Sequence, residues 1–350
     1  MAEIDACLAT PARDAHYASV ALQLARAFRE ATIRVGADHV WMPTGDLTTQ
    51  ALGLSVGRRR RGATNAGSET ILHRVSPAYP APSAWSAARR RLLGRLLFRS
   101  PWTRIHIVDR LAYESLLARG YDDRRLRFVP DPLPEYDLPD RRTARRALGI
   151  PEGGRVIGNA GALDHRKGIP WLLAAFAKAN LREDDRVLLA GRATDTLRQE
   201  IGDRFGDLSR SGRLIHIDRY LGDDELMTCL SAMDVVCTPS SGHIGMSSIL
   251  LRAQAARRPV LGCDEGWQAM IIDQFGVGWT GPVRDAFRFG EAIERALAAA
   301  GSYVFPSKAE RLLAFHGLDN WAAHVTDAVR ERMGLPTPEK LSWSWATEGR

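Results

Sequence analysis

Lysine is scarce: the 350-residue chain has it only at positions 167, 178, 308 and 340, so arginine carries nearly all of the positive charge. The formal net charge of +7 would draw any polyanion, but the same arginine bias follows from a GC-rich coding sequence, so the charge alone names no partner. Cysteine is equally sparse. Cys7, Cys229, Cys237 and Cys263 show no CxxC or Cys/His ligand spacing, which leaves no basis for a disulfide framework or a zinc site. No apolar run approaches the roughly 18 to 20 residues of a membrane span. The opening MAEIDACLATPARDAH has no basic segment followed by an apolar one, so no secretory leader is read and the expected location is the cytoplasm. There is no GxGxxG fingerprint, no Walker loop, no helix-turn-helix or RNP signature and no internal repeat, which speaks against a nucleic-acid partner.

What is present reads as ordinary globular composition. A hydrophobic fraction of 45% and a charged fraction of 25% exclude wholesale disorder, and the length suits two domains rather than one core. From about Arg155 onward short apolar runs alternate with helical periods: RVIGNAGAL, GIPWLLAAFAKAN, DRVLLAGRA, RLIHIDRYL, DDELMTCLSAM, DVVCTPS, SSILLRAQAA and RPVLGCD. That is the βαβ rhythm of a parallel sheet, about five units ending near Gly278. The earlier half is looser. It offers a helix at HYASVALQLARAFREAT, strands at DHVWMP, RIHIVD and LRFVPDPL, and a helix at RLAYESLLARG. The segment from Leu138 to Gly154 has the Pro/Gly and charge content of a connection, and the stretch after Leu335 has no period and reads as a mobile tail or a strap. The expected division is therefore a first domain over 1–140, a second over 141–300, helices over 301–335 and a tail over 336–350.

Two segments carry chemistry. In GNAGALDHRKGIPWLLAAF, glycines 158, 161 and 168 and Lys167 link a buried strand to a helix, an arrangement able to bring N–H groups and an ammonium to a phosphate. An ordinary strand-helix turn with a solvated lysine fits the same letters. In PSSGHIGMSSILLRAQAARRPVLG, the run Gly245, Met246, Ser247, Ser248 opens a helix, whose free N–H groups and positive dipole end suit a diphosphate. The two serines also fit as simple N-caps.

In order, these blocks resemble the donor-binding domain of glycosyltransferase family 4 and its GT-B relatives, whose motifs run GRLD-x-x-KG, FLGYV-x-DEEL and PS-x-x-EGFG-x-x-x-LEA-x-A-x-G-x-PV. Here they read GALDHRKG, IDRYLGDDEL, SAMDVVCTPS and HIGMSSILLRAQAARRPV. The resemblance implies an α/β chain of two Rossmann-like domains and a retaining transferase that moves a sugar from a nucleotide-diphosphate sugar without a cofactor or essential metal. It implies a diphosphate held by Gly161, Lys167, Gly245, Met246, Ser247 and Ser248, and a base lying near Arg219, Tyr220 and Leu221. Three positions depart from the pattern. Ala162 stands where the family has a phosphate-binding arginine. Ile244 and Arg252 occupy the places of two glutamates that normally touch the donor sugar and the ribose hydroxyls. A guanidinium has donors only and cannot accept from a diol. Arg252 either pairs with a phosphate or faces solvent. The departures also fit a non-catalytic, glycosyltransferase-like binding or scaffold protein.

The first half lacks the strand, glycine-rich loop and helix with which the family's acceptor-side domain begins. DHVWMPTGD resembles that domain's third strand, so about 50 to 60 residues, one and a half to two βα units, are expected to be missing from a truncated first domain. His106, near the end of the RIHIVD strand, is the candidate catalytic residue that could meet an acceptor, or a packed core histidine. The most basic stretches are GRRRRG and WSAARRRLLGRLLFRS. In the second, Leu92, Leu93, Leu96 and Leu97 share a helical face flanked by Arg89, Arg90, Arg91, Arg95 and Arg99. Such a helix can lie on anionic lipid, where a lipid-linked acceptor would be within reach, or cover a core with its arginines solvated. A small-molecule sugar acceptor is the other expectation, and neither base nor donor sugar is legible.

Overall fold

The computed structural model describes residues 19–27, 30, 34, 39–46, 48–55, 67–79, 81, 83–121, 124–242 and 245–348. The GRRRRG run at 57–62, His243 and Ile244 lie outside the described residues. The chain forms two compact units, one of Met1–Val129 with His324–Pro338 and the other of Pro130–Ala323 with Glu339–Arg350.

In the first unit four parallel strands, β1 (His39–Met42), β2 (Gly67–Leu72), β3 (Arg104–Ile107) and β4 (Leu126–Phe128), stand in chain order. Each step moves to the next neighbour in one direction, so right-handed crossovers place the connecting helices on one face. That face is apolar: Leu72, Ile105, Ile107 and Leu126 pack with Leu52, Leu97, Ala112 and Leu116 from the helices Thr49–Ser55, Ala84–Arg99 and Arg110–Ala118. Strand residues alternate between faces. The other face of β2 and β3 therefore carries Glu69, Arg104 and His106, and Arg104 pairs with Glu331 at 3.2 Å from the helix Asp327–Arg332.

The second unit holds six parallel strands: β5 (Val156–Ala160), β6 (Arg186–Ala190), β7 (Leu214–Ile217), β8 (Val235–Thr238), β9 (Val260–Cys263) and β10 (Gly278–Gly281). Their order is β10-β9-β8-β5-β6-β7. β5, β8 and β9 are buried at every residue, as a sheet covered by helices on both faces requires. The chain walks outward from β5 in one direction and from β8 in the other, so the strand order reverses between them. Outside the carboxyl ends of that pair lies the crevice where open α/β sheets receive ligands.

The stretch after Leu335 is a strap rather than a free tail. Its helix Trp343–Thr347 sets the Trp343 ring against Phe275 and Phe315 at centroid separations of 5.6 and 5.2 Å. The His316 ring beside it is fully buried, and its Nδ1 accepts from the Asp131 N–H at 3.0 Å. Burial pushes this imidazole down to about 4, so it is neutral at pH 7. Among the described residues no helix is long and apolar enough to cross a membrane.

Candidate functional site

The loop after β5 is shaped by close approaches that admit only glycine. Gly161 has φ of +102°, and a Cβ there would stand 3.1 Å from the Lys167 ammonium. Gly168 has φ of +69°, and a Cβ on it would fall 2.1 Å from the Pro239 carbonyl oxygen. The loop is thus pressed against the exit of β8. Asp164 caps the single 3₁₀ turn His165–Lys167 by accepting from the Lys167 N–H at 3.1 Å, and this turn sends the lysine side chain back over the end of β5.

Lys167 is half-buried, and among the described residues its ammonium donates one long bond, 3.4 Å, to the Ala160 carbonyl. Burial lowers its pKa to about 8, and the Arg166 and Arg252 charges push the same way while Asp164 opposes them. A cation in such a place is costly unless an anion joins it. The second source of positive potential stands beside it: the position of a Gly161 Cβ lies within 3.5 Å of Ile249 and 3.8 Å of Leu226. Ile249 belongs to the first turn of the helix Ser248–Ala255, whose N-cap Ser247 makes no capping bond through its side chain. Ser247 therefore does not cap the helix through its side chain; the Leu250 N–H turns back to the Ser247 carbonyl at 3.1 Å, and the Ser248 and Ile249 N–H groups ahead of it are of the kind that an anion at a helix start completes. Gly245, with φ of +103°, supplies the backbone turn that a side chain would strain.

The remaining sequence candidates fall around this core. Ala162 is exposed. Arg252 is half-buried and pairs with Asp223 Oδ1 at 3.1 Å. Arg219 donates to Glu225 from both terminal nitrogens, Tyr220 is 82% exposed and Leu221 is buried. These three lead directly into the helix Asp223–Ala232, which carries Leu226 to Gly161. His106 is elsewhere. It is fully buried in the first unit, 2.6 Å from the equally buried Glu69, with His39 at 3.2 Å from the other carboxylate oxygen, and so takes the packed-core position. The Asp223 partner of Arg252 was not singled out in the sequence, because an acidic residue at a helix start is unremarkable until its partner is known.

Residues 154–315 match the family model described as Glycosyl transferases group 1. The phosphatidyl-myo-inositol mannosyltransferase of Mycolicibacterium smegmatis is 34% identical over 144 residues, 39% of this chain and 35% of that one. The D-inositol 3-phosphate glycosyltransferase of Corynebacterium urealyticum is 33% identical over 247 residues, 66% of this chain and 57% of that one. The matches thus cover well under two thirds of these relatives' own lengths. Among solved structures, the sucrose-phosphate synthase of Thermosynechococcus elongatus superposes with a TM-score of 0.71 at 18% identity, over 93% of this chain and 82% of that one. Anabaena HepE in complex with UDP gives 0.66 at 14% identity, over 89% and 82%. At such identities the likeness speaks for the fold, which is GT-B.

Proposed function

Taking residues 154–315 as a group 1 glycosyl transferase domain, we propose that the protein is a glycosyltransferase that draws its sugar from a nucleoside-diphosphate sugar. The observation that carries this reading is the half-buried Lys167 ammonium beside a helix start without a side-chain cap at the switch point of the sheet. Both features stabilise negative charge where a leaving diphosphate would develop it, and fixed donors of this kind act without reorganising during the reaction. Transfer proceeds with retention in this reading. Thermal-shift titration with UDP, GDP and their sugars tests it. At least one nucleotide is expected to raise the unfolding temperature with a dependence on concentration that follows mass action. No stabilisation by any of them at millimolar concentration would sink the reading. Binding without sugar transfer to any acceptor would favour a scaffold role instead.

Two relatives are named for inositol-containing acceptors, so D-inositol 3-phosphate and phosphatidyl-myo-inositol are the first acceptors to assay. A lipid-borne acceptor would suit the helix Ala84–Arg99, although the contact face differs from the leucine stripe expected. Leu96 and Leu97 are buried, whereas Trp85 and Leu92 are 72% and 57% exposed. They stand seven residues apart on the exposed face, among the exposed Arg89, Arg91, Arg95 and Arg99. Each basic residue near an anionic bilayer contributes about 1 kcal/mol. Replacing Arg89, Arg91 and Arg95 by Gln is therefore expected to release the protein from anionic vesicles in co-sedimentation, and rising salt should do the same. Equal pelleting with neutral vesicles would argue against this docking.

A further inference from the structure

A nucleoside diphosphate presents two handles, an anion and a vicinal ribose diol, and the diol is best met by a carboxylate that accepts both hydroxyl protons. Arg252 cannot do this, and it stands on the very helix that opens onto the anion site. The carboxylates of the loop after β5 and of the first turn of the helix Asp223–Ala232 can be considered in turn. Both oxygens of Asp164 are taken, Oδ1 by the Lys167 N–H and Oδ2 by the Arg166 guanidinium. Glu225 gives both of its oxygens to Arg219. Asp224 lies two residues from Leu226 in the same helix, hence on nearly the opposite side from the residue that packs at Gly161. Asp223 lies three residues from Leu226, on nearly the same side and one turn farther out. Its Oδ1 is engaged by Arg252 at 3.1 Å, and its carboxylate is 66% exposed.

Resting on the donor reading above, we infer that Asp223, oriented by Arg252, is the carboxylate that accepts the ribose diol of the bound nucleotide. Asp223 supplies the oxygens, and Arg252, on the neighbouring helix, fixes the carboxylate by its own hydrogen bond. The pair also holds the Arg252 charge near Lys167, where it adds to the field felt by the diphosphate. The two residues then divide one task, and the ribose is recognised from the helix Asp223–Ala232 while the phosphates are held by the loop after β5 and the helix Ser248–Ala255.

The test compares affinities of wild type, Asp223→Asn and the double variant Asp223→Ala/Arg252→Glu for three probes: the nucleoside diphosphate that binds best, its 2′,3′-dideoxy counterpart and inorganic pyrophosphate. Wild type is expected to favour the ribonucleotide about tenfold or more, because a lost hydrogen bond to a charged acceptor is worth that much. Asp223→Asn should shrink this preference to about two- or threefold while pyrophosphate still binds. The double variant, with a carboxylate returned to the helix Ser248–Ala255, should recover part of it. A ribose preference that is absent in wild type or untouched in Asp223→Asn overturns the assignment while leaving the donor reading intact, provided pyrophosphate binding depends on Lys167. If neither nucleotide nor pyrophosphate binds, the donor reading itself falls.

Discussion

Replacing Lys167 by methionine is expected to make the ligand-free protein more stable and the nucleotide-binding protein almost inert. The two effects share one cause. The half-buried ammonium has little compensation among the described residues, one 3.4 Å bond to the Ala160 carbonyl, and burial lowers its pKa to about 8 from the ordinary 10.5. A lysine whose folded-state pKa lies below its unfolded value binds its proton less well in the native chain, so the charge opposes folding at pH 7. That penalty fades as pH rises from 8 to 10.5. Methionine fills a similar volume with no charge to enclose. The shift corresponds to a gain of at most about 3 kcal/mol, which for a unit of this size is a rise of up to about 6 to 12 °C in the unfolding temperature. The stability of wild type should climb between pH 8 and 10.5, and that of Lys167→Met should lack this climb. Binding changes in the other direction. Loss of a charge-assisted bond to a diphosphate weakens affinity on the order of 10- to 100-fold, and in wild type the affinity should decline as pH passes 8 and the free amine forms. Calorimetric melting curves with and without nucleotide check both signs together. A variant that melts lower and binds as before would mean that Lys167 is a structural residue.

The second unit was legible because most of its strands are short, largely apolar runs set between turn residues and helical periods. RVIGNAGAL, DRVLLAG and DVVCTPS fell on β5, β6 and β8 as expected. β10 was not legible. Its sequence GWTG has two glycines in four residues, and Gly278 is there because a Cβ would stand 1.9 Å from the Val260 carbonyl oxygen, a requirement of pairing that no local pattern reveals. In the first unit β2 escaped for another reason. GSETIL places a glutamate at its centre, and only the structure shows that Glu69 is fully buried against His106. The shape of the loop after β5 was readable from glycine spacing and a lone lysine, since backbone constraints leave marks in sequence. The Asp223–Arg252 pair was not, because it joins two helices 29 positions apart and each member alone looks like a surface charge.

Truncating Arg145 should be among the most destabilising single changes in the second unit, by about 3 to 5 kcal/mol. The segment from Leu138 to Gly154 reads as a mere connection, yet its short helix Arg141–Ala147 is tied down from within. Arg145 is 1% exposed. Its Nε donates to the Ala232 carbonyl at 3.0 Å, one terminal nitrogen to the Glu152 and Gly154 carbonyls at 2.8 and 3.0 Å, and the other to Asp234 Oδ2 at 2.6 Å. Asp234 in turn accepts from the Val156 N–H at 2.7 Å, which fixes the first residue of β5 opposite the start of β8. One guanidinium therefore sets the approach to the two strands whose far ends form the ligand crevice. Arg145→Ala takes the guanidinium from three carbonyls, that of the buried Ala232 among them, and from Asp234, which keeps its bonds from the Val156 N–H and Arg141, and opens a cavity besides. Arg145→Lys should recover little, because a compact ammonium cannot span acceptors laid out for a planar fork. Asp234→Asn keeps an oxygen for the Val156 N–H and is expected to cost less than Arg145→Ala, since no cation is removed from the carbonyls. Urea denaturation of the three variants should thus rank Arg145→Ala and Arg145→Lys well below Asp234→Asn. Near-equal midpoints for all three and wild type would show that water enters and satisfies these carbonyls when the arginine is gone, and that the connection is as pliable as its sequence suggests.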